Sequence, residues 1–384
     1  MLPYTDGRGQ TTQTQIAEGA VPSAGVIPFR RATTFRNTRL QTTVGTVTAA
    51  EQQIQETIEG SGYMFGIDLT VDIETAANAA AVAYHEDAPF NAISSVVMAD
   101  VNGELVNLEG FSLHVADLYG GWKKSLDSAS ADEFVFESVA GAVGRGGSVH
   151  FHLFVPAGTN RRTLLGLLGN QDRAQKYSIR SNFAASGTIY TVAPTAAGAL
   201  TIQRSYQNYA VPAAANAQGV PQEVLPPKFG VLHYLTQVRS PQLPTSSSTQ
   251  NHFLPRVGNV VRYIALIFRD GAAATARLDA EANMPTQIKF MLGDTPIFSE
   301  TVDDRRALMF SRYGFDAPNG VLVYDWITDL VGRAADELGS DWLFTQGLVN
   351  AQFEITYGAG WAAASSLTII TDDLSVPSGM DLYA

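Results

Sequence analysis

Apolar and polar residues alternate with period two along much of this chain. In GYMFGIDLTVDI, Tyr63, Phe65, Ile67, Leu69, Val71 and Ile73 fall on one face and Asp68, Thr70 and Asp72 on the other. Successive side chains of a strand point to opposite faces, so this spacing predicts a strand with one buried face. KYSIRSNF repeats the pattern with Tyr177, Ile179 and Phe183, and QFEITY with Phe353, Ile355 and Tyr357. VVRYIALIF (260–268), TQIKFML (286–292) and FGVLHYL (229–235) read as more continuously apolar strands. Asn102-Gly103, Asp270-Gly271 and Gly293-Asp294 supply turn chemistry,. The predicted class is mainly β, packed as a sandwich or barrel.

Two stretches carry helical signals, each after a strand. TNRRTLLGLLGNQ offers Thr159 or Asn160 as N-cap, leucines at 164, 165, 167 and 168, and Gly169 as a stop,. TDLVGRAADELGS offers Thr328 or Asp329, then Leu330, Val331, Ala334, Ala335 and Leu338, then Gly339,. They follow VHFHLFVP and GVLVYDWI and precede YSIRSNF and QFEITY, so both halves share one order of elements. ISSVVMADVNGE (93–104) and IKFMLGDTPIFSE (288–300) match likewise as strand, tight turn and return strand. A duplicated β domain follows, with an insertion in the first copy. RSPQLPTSSSTQNHFLPRVG (239–258) is expected to join the copies, because its three prolines lack ladder donors,. The expected bounds are an arm at 1–45, a first domain at 46–244 completed by FGVLHYL, and a second at 245–384.

Composition narrows the chemistry. The 384 residues, 45% apolar and 16% charged, suffice for about two cores,. The absence of cysteine removes disulfides, thiolate nucleophiles and cysteine metal ligands, and it suits assembly in a reducing cytoplasm,. The opening MLPYTDGRGQTTQTQIAEG lacks a cationic start followed by an apolar core, so no secretory leader is expected, and no apolar run reaches a membrane-spanning length,. A net charge of −12 argues against broad nucleic-acid binding by the whole surface, and no specific nucleic acid is expected as a partner,. Residues 1–40 nonetheless carry +3, from Arg8, Arg30, Arg31, Arg36 and Arg39 against Asp6 and Glu18, on a body of −15. This reads either as an untidy terminus or as a basic arm that orders only against a neighbour or an anionic surface.

Candidate chemical sites are sparse. His150 and His152 in VHFHLFVPAG share a strand face, which permits a shared metal ion,. A zinc or iron site needs a further ligand, and His85, His114, His233 and His252 show no metal-binding spacing,. Cupins place two histidines at this spacing but continue with a glutamate; here Leu153, Phe154, Val155 and Pro156 follow. The pair is therefore expected to line the less buried side of a sheet, with no metal or cofactor. GAVGRGG (141–147) lacks the Gly-Lys-Ser/Thr of a phosphate loop,. Asp303-Asp304 and Asp372-Asp373 are expected to be solvated turn residues, and Trp122, Trp326, Trp342 and Trp361 packing residues. No nucleophile motif occurs, so no catalytic residue is expected.

The order of elements resembles that of the double jelly-roll major capsid proteins, and most closely those of tectiviruses, icosahedral bacteriophages with an internal lipid membrane. ISSVVMADVNGELVNLEGFSLHV, FVPAGTNRRTLLGLLGNQDRAQKYSIRSNFA, VVRYIALIFRDGA, RRALMFSRYGFDAPNGVLVYDW and NAQFEITYGAG carry the likeness, in order from about residue 60 onward. The resemblance implies two tandem eight-stranded jelly rolls, a helix after the sixth strand of each, and a flexible N-terminal arm. It implies a homotrimer forming a pseudo-hexagonal tile of a virion shell assembled in host cytoplasm. Minor capsid, vertex and membrane proteins would be partners. Arg8, Arg30, Arg31, Arg36 and Arg39 would contact membrane or neighbouring capsomers. AANAAAVAYHEDAPF, SLDSASADEF and VPAAANAQGVP would be tower or inter-subunit loops. A carbohydrate-binding or hydrolytic jelly roll, or a minor capsid or spike component, is the alternative; the first would need an aromatic-lined cleft and, for hydrolysis, two facing carboxylates.

Overall fold

The computed structural model describes residues 25–60, 62–75, 82–122, 134–136, 148–171, 177–240, 243–270, 277, 284–327, 342–359, 361, 365–377 and 380. They fall into two compact units, one of residues 25–34 with 211–225 and the other of the remainder. The small unit contains α1 (Phe29–Ala32). Its Ile27 bridges Gln222 in parallel, and Glu223 accepts a hydrogen bond from the Phe29 amide at 2.9 Å.

In the large unit, the first half supplies β1 (Phe35–Thr46), β2 (Gln52–Ile58), β3 (Gly62–Glu74), β4 (Ala83–Tyr84), β5 (Ile93–Ala99), β6 (Glu104–Leu108), β7 (Phe134–Phe136), β8 (Val149–Pro156), β9 (Leu168–Asn170), β10 (Tyr177–Phe183), β11 (Tyr190–Val192) and β12 (Ala199–Tyr209). The second half supplies β13 (Leu232–Ser240), β14 (Ser248–Phe253), β15 (Val260–Arg269), β16 (Gln287–Leu292), β17 (Thr295–Glu300), β18 (Val321–Asp325), β19 (Leu343–Phe344), β20 (Ala351–Tyr357) and β21 (Ser366–Ser375). Helices α2 (Gly110–Tyr119), α3 (Ser186–Ile189) and α4 (Val302–Tyr313) interrupt them.

With β4, β7, β9, β11 and β19 set aside as short additions, each half has eight main strands paired in one plan. The sheet β1-β12-β3-β8 joins the first, eighth, third and sixth strands of the first half, and β13-β21-β15-β18 joins the same four of the second. The opposing sheets, β2-β10-β5-β6 and β14-β20-β16-β17, each join the second, seventh, fourth and fifth. This is the jelly-roll winding, present twice, as the fold class expected. The rolls share a sheet, because β6 pairs in parallel with β13 at Val106–Leu235 and Asn107–Thr236.

Burial explains the two kinds of strand pattern. β10 and β20 alternate between buried and half-buried residues, with one face on a core and one on solvent. All ten residues of β15 and all five of β18 are buried. Phe268 of β15 packs on Trp361, with ring centroids 6.2 Å apart. On the other face, the Tyr263 hydroxyl donates to the carbonyl of Ala116 in α2 at 3.4 Å. A strand covered on both faces reads as a near-continuous apolar run, which is why VVRYIALIF does not alternate.

Several expectations need correction. β1 takes up residues placed in the arm, and β13 opens the second roll instead of closing the first. The expected bounds at 45/46 and 244/245 shift accordingly, and the connection between rolls is residues 210–231. The stretch expected as a proline-broken join contains β14, whose six residues lie between Pro244 and Pro255 and pair fully with β20. TNRRTLLGLLGNQ forms turns: Asn160 Oδ1 accepts from the amides of Arg162 and Thr163, Leu164 and Gly166 adopt positive φ, and the chain returns as β9. Its leucines are buried without being helical. TDLVGRAADELGS lies outside the described residues. Helices α2 and α4 instead follow the fifth strand of each roll. A capping box of Thr301 and Asp304 starts α4, and Gly314 at φ +77° ends it,.

All ten residues of α2 are buried. Its entry is tight, since a Cβ on Gly110 would lie 2.2 Å from the Phe90 carbonyl oxygen and 2.8 Å from that of Ile93. Gly110→Ala is expected to lower stability by about 1–3 kcal/mol, measured as a shifted urea midpoint. An unchanged midpoint would show that α2 has room to move.

Candidate functional site

The histidine pair is positioned by strand register. β3 and β8 are antiparallel neighbours, with His150 opposite Asp72 and His152 opposite Thr70, so their outward side chains meet. His150 Nδ1 hydrogen-bonds Asp72 Oδ1. His150 Nε2 lies 3.1 Å from His152 Nε2, whose Nδ1 lies 2.8 Å from Thr70 Oγ1. Farther along this face Gln207 donates to Asp68 at 2.6 Å, and Arg161 donates to Gln207 at 2.8 Å while covering the Phe35 ring. Burial raises the Asp68 carboxyl above its ordinary pKa, against the lowering effect of the Gln207 bond.

Among the described residues, no group of three or more His, Asp or Glu side chains is placed to hold a metal ion. A pocket of about 250 Å³ beside Val47, Thr48, Tyr190 and Pro194 has no charged residue in its lining. Trp342 and Trp361 are buried and Trp122 and Trp326 half-buried, so they pack as expected. GAVGRGG and most of SLDSASADEF lie outside the described residues.

The most developed polar structure lies between the rolls. Asp87, from the insertion expected to form a tower or inter-subunit loop, accepts from Arg269 at 2.8 Å and from Arg277 at 2.7 Å. The Arg277 amide donates to Glu86 at 2.6 Å, and both arginines lie over the Phe111 ring. That end of the insertion clasps one roll to the other. Of the other insertions, residues 211–221 fall in the small unit with the arm.

The paired acids part ways: Asp303 and Asp304 are solvent-exposed as expected, though in a helix and not a turn, whereas Asp372 and Asp373 are not solvated. Asp303 and Asp304 begin α4, where Asp304 caps the helix. Asp372 and Asp373 are buried in β21. Asp372 accepts from Arg262 at 2.8 Å and bonds His233 Nε2 at 3.0 Å. Arg262 occupies a bulge, where Val261 and Tyr263 pair with Asp373 and Asp372 and leave it out of register,. Burial alone would raise Asp372, but Arg262 and His233 overcome it and hold the carboxyl below its ordinary pKa,. Asp373 has no such cation in contact. Burial pushes it up to about 6, with Asn259 as hydrogen-bond donor and Arg256 opposing more weakly. These residues were not legible as a site, although a lone arginine inside VVRYIALIF signals a buried partner.

Of the arm arginines, Arg30 and Arg31 are exposed in α1 of the small unit, Arg36 is exposed in β1 of the large unit, Arg39 pairs with Ser205 in the β1 register, and Arg8 is outside the described residues.

No protein-family model matches the chain, and no curated protein matches it. Solved structures do. A chain of the Sulfolobus Turreted Icosahedral Virus structure is 13% identical, with a TM-score of 0.63 over 89% of this chain and 91% of that one. A chain of the PBCV-1 virus capsid is 13% identical, with a TM-score of 0.62 over 89% and 94%. The major capsid protein P2 of bacteriophage PM2 is 13% identical, with a TM-score of 0.51 over 90% and 98%. The likeness establishes the double jelly-roll fold over nearly the whole of each chain.

The Asp373 carboxyl carries a pH prediction. Its folded-state pKa near 6 lies above the unfolded value, so its contribution is full below about pH 4 and is lost as pH rises through 6,. Asp373→Asn cannot ionise and is expected to gain up to about 3 kcal/mol on the parent between pH 4 and 7. Urea unfolding at both pH values checks this; a pH-independent difference would contradict it.

Proposed function

We propose that this chain is a structural protein, the major capsid protein of an icosahedral virion, and not an enzyme. The observation that carries the reading is the duplicated winding: two jelly rolls of identical strand order, fused through one sheet. That plan is shared along its length with chains of viral capsids. Three copies bring six rolls together, so a homotrimer presents a pseudo-hexagonal outline that tiles a closed shell. The location is the capsid shell, and the partners are further copies, minor capsid and vertex proteins, and proteins of an internal membrane, as in the tectivirus-like arrangement.

The arm supports the last of these. Arg8, Arg30, Arg31, Arg36 and Arg39 give it a positive balance on an acidic chain. Near anionic headgroups each arginine contributes about 1 kcal/mol. A sugar-binding reading finds no support in an uncharged pocket and inward-packed tryptophans.

Light scattering of the purified protein is expected to give three times 41.1 kDa, about 123 kDa, with six-fold-looking outlines in negative stain. A monomer that persists on concentration would remove the reading. Arg30→Gln with Arg31→Gln is expected to weaken co-sedimentation with anionic vesicles by roughly tenfold or more at low salt. Unchanged binding would remove these two arginines from the membrane role.

A further inference from the structure

The face of β3 and β8 holds one constellation that a shell role does not use. We propose that His150 and His152 bind a divalent transition-metal ion through their Nε2 atoms, with Asp72 and Thr70 orienting the two rings from behind. A metal bound by two imidazoles at about 2.0–2.1 Å each, near the tetrahedral angle, holds the nitrogens about 3.3 Å apart. Here they stand 3.1 Å apart. The ring centroids are only 4.9 Å apart, with planes at 84°.

The supporting shell is already in place. A metal-bound histidine donates its other N–H to an acceptor, which fixes tautomer and orientation. Asp72 on His150 Nδ1 is such an acceptor, and the Thr70 hydroxyl on His152 Nδ1 serves as donor or acceptor. In the metal-free network His150 Nδ1–H donates to Asp72, His152 Nε2–H donates to His150 Nε2, and Thr70 donates to His152 Nδ1. Binding moves the His152 proton from Nε2 to Nδ1, and Thr70 becomes the acceptor. No proton is lost from the site. Register holds the parts together, since the four residues form two directly opposed pairs on adjacent strands.

Access and selectivity follow from the surroundings. The His150 and Asp72 side chains are 41% and 29% exposed, so an ion reaches the site from solvent; no third protein ligand is placed for it among the described residues, so water fills the remaining positions and binding is weaker than at a three-ligand site,. Neutral imidazoles favour zinc, copper or nickel over magnesium or calcium, which prefer oxygen ligands.

The test is isothermal titration of the tag-free full chain with zinc chloride near neutral pH, with magnesium chloride alongside. The expected result is one zinc per chain and no comparable heat from magnesium. Binding should disappear in the His150→Ala/His152→Ala variant and weaken about 10- to 100-fold in Asp72→Asn. Zinc should also raise the melting temperature of the parent but not of the double variant. No zinc uptake, equal uptake of magnesium, or undiminished affinity in the double variant would each overturn the proposal.

Discussion

The structure depends on one constraint: β21, β15 and β18 of the sheet β13-β21-β15-β18 are buried on both faces. The core of the second roll lies on one side, and α2 with the neighbouring parts of the first roll lies on the other. Each apolar side chain on this sheet adds burial at about 25 cal/mol per Å². A charged group on its buried strands is costly unless it finds a partner inside the protein. Arg262, His233 and Asp372 close on one another for that reason, and Arg269 reaches Asp87 in the first roll. Such pairs add little net stability over apolar packing, yet removing one partner strands a buried charge. Of these, Arg269–Asp87 is the pair that joins the two rolls, so breaking it would strand a charge at their contact,.

This arrangement suits a building block. The parallel β6–β13 pair and the Asp87 clasp make the two rolls parts of one compact unit. The exposed edges are blunted against uncontrolled strand pairing. β17 carries Pro296, while β1, β2 and β14 are rich in Thr, Gln, Asn and Arg,. In the proposed shell, contacts between copies would then fall to side chains and loops and not to open strand edges.

Much of the fold was legible because solvent faces only one side of most strands. GYMFGIDLTVDI, KYSIRSNF and QFEITY alternate and are strands, and the matched order of elements disclosed the duplication. The errors have specific causes. A leucine cluster in TNRRTLLGLLGNQ is buried in turns, where Gly166 diverts the chain before a helix can propagate. TDD in β21 looked solvated because its partners, Arg262 and His233, lie over a hundred positions away in sequence. STQNHF looked like linker because an edge strand facing solvent is polar. The histidine pair was visible as two residues sharing a face. Its hydrogen-bond partners were not, since Thr70 and Asp72 come from another strand whose register no local pattern specifies.

Hydrogen exchange tests the doubly covered sheet most directly. Amides of α2, β6, β15 and β21 are predicted to share the slowest rates and to exchange only through global opening. Fast exchange of α2 and β6 against slow exchange of β15 and β21 would contradict the account, because the first roll would then move independently of the sheet it is held to cover.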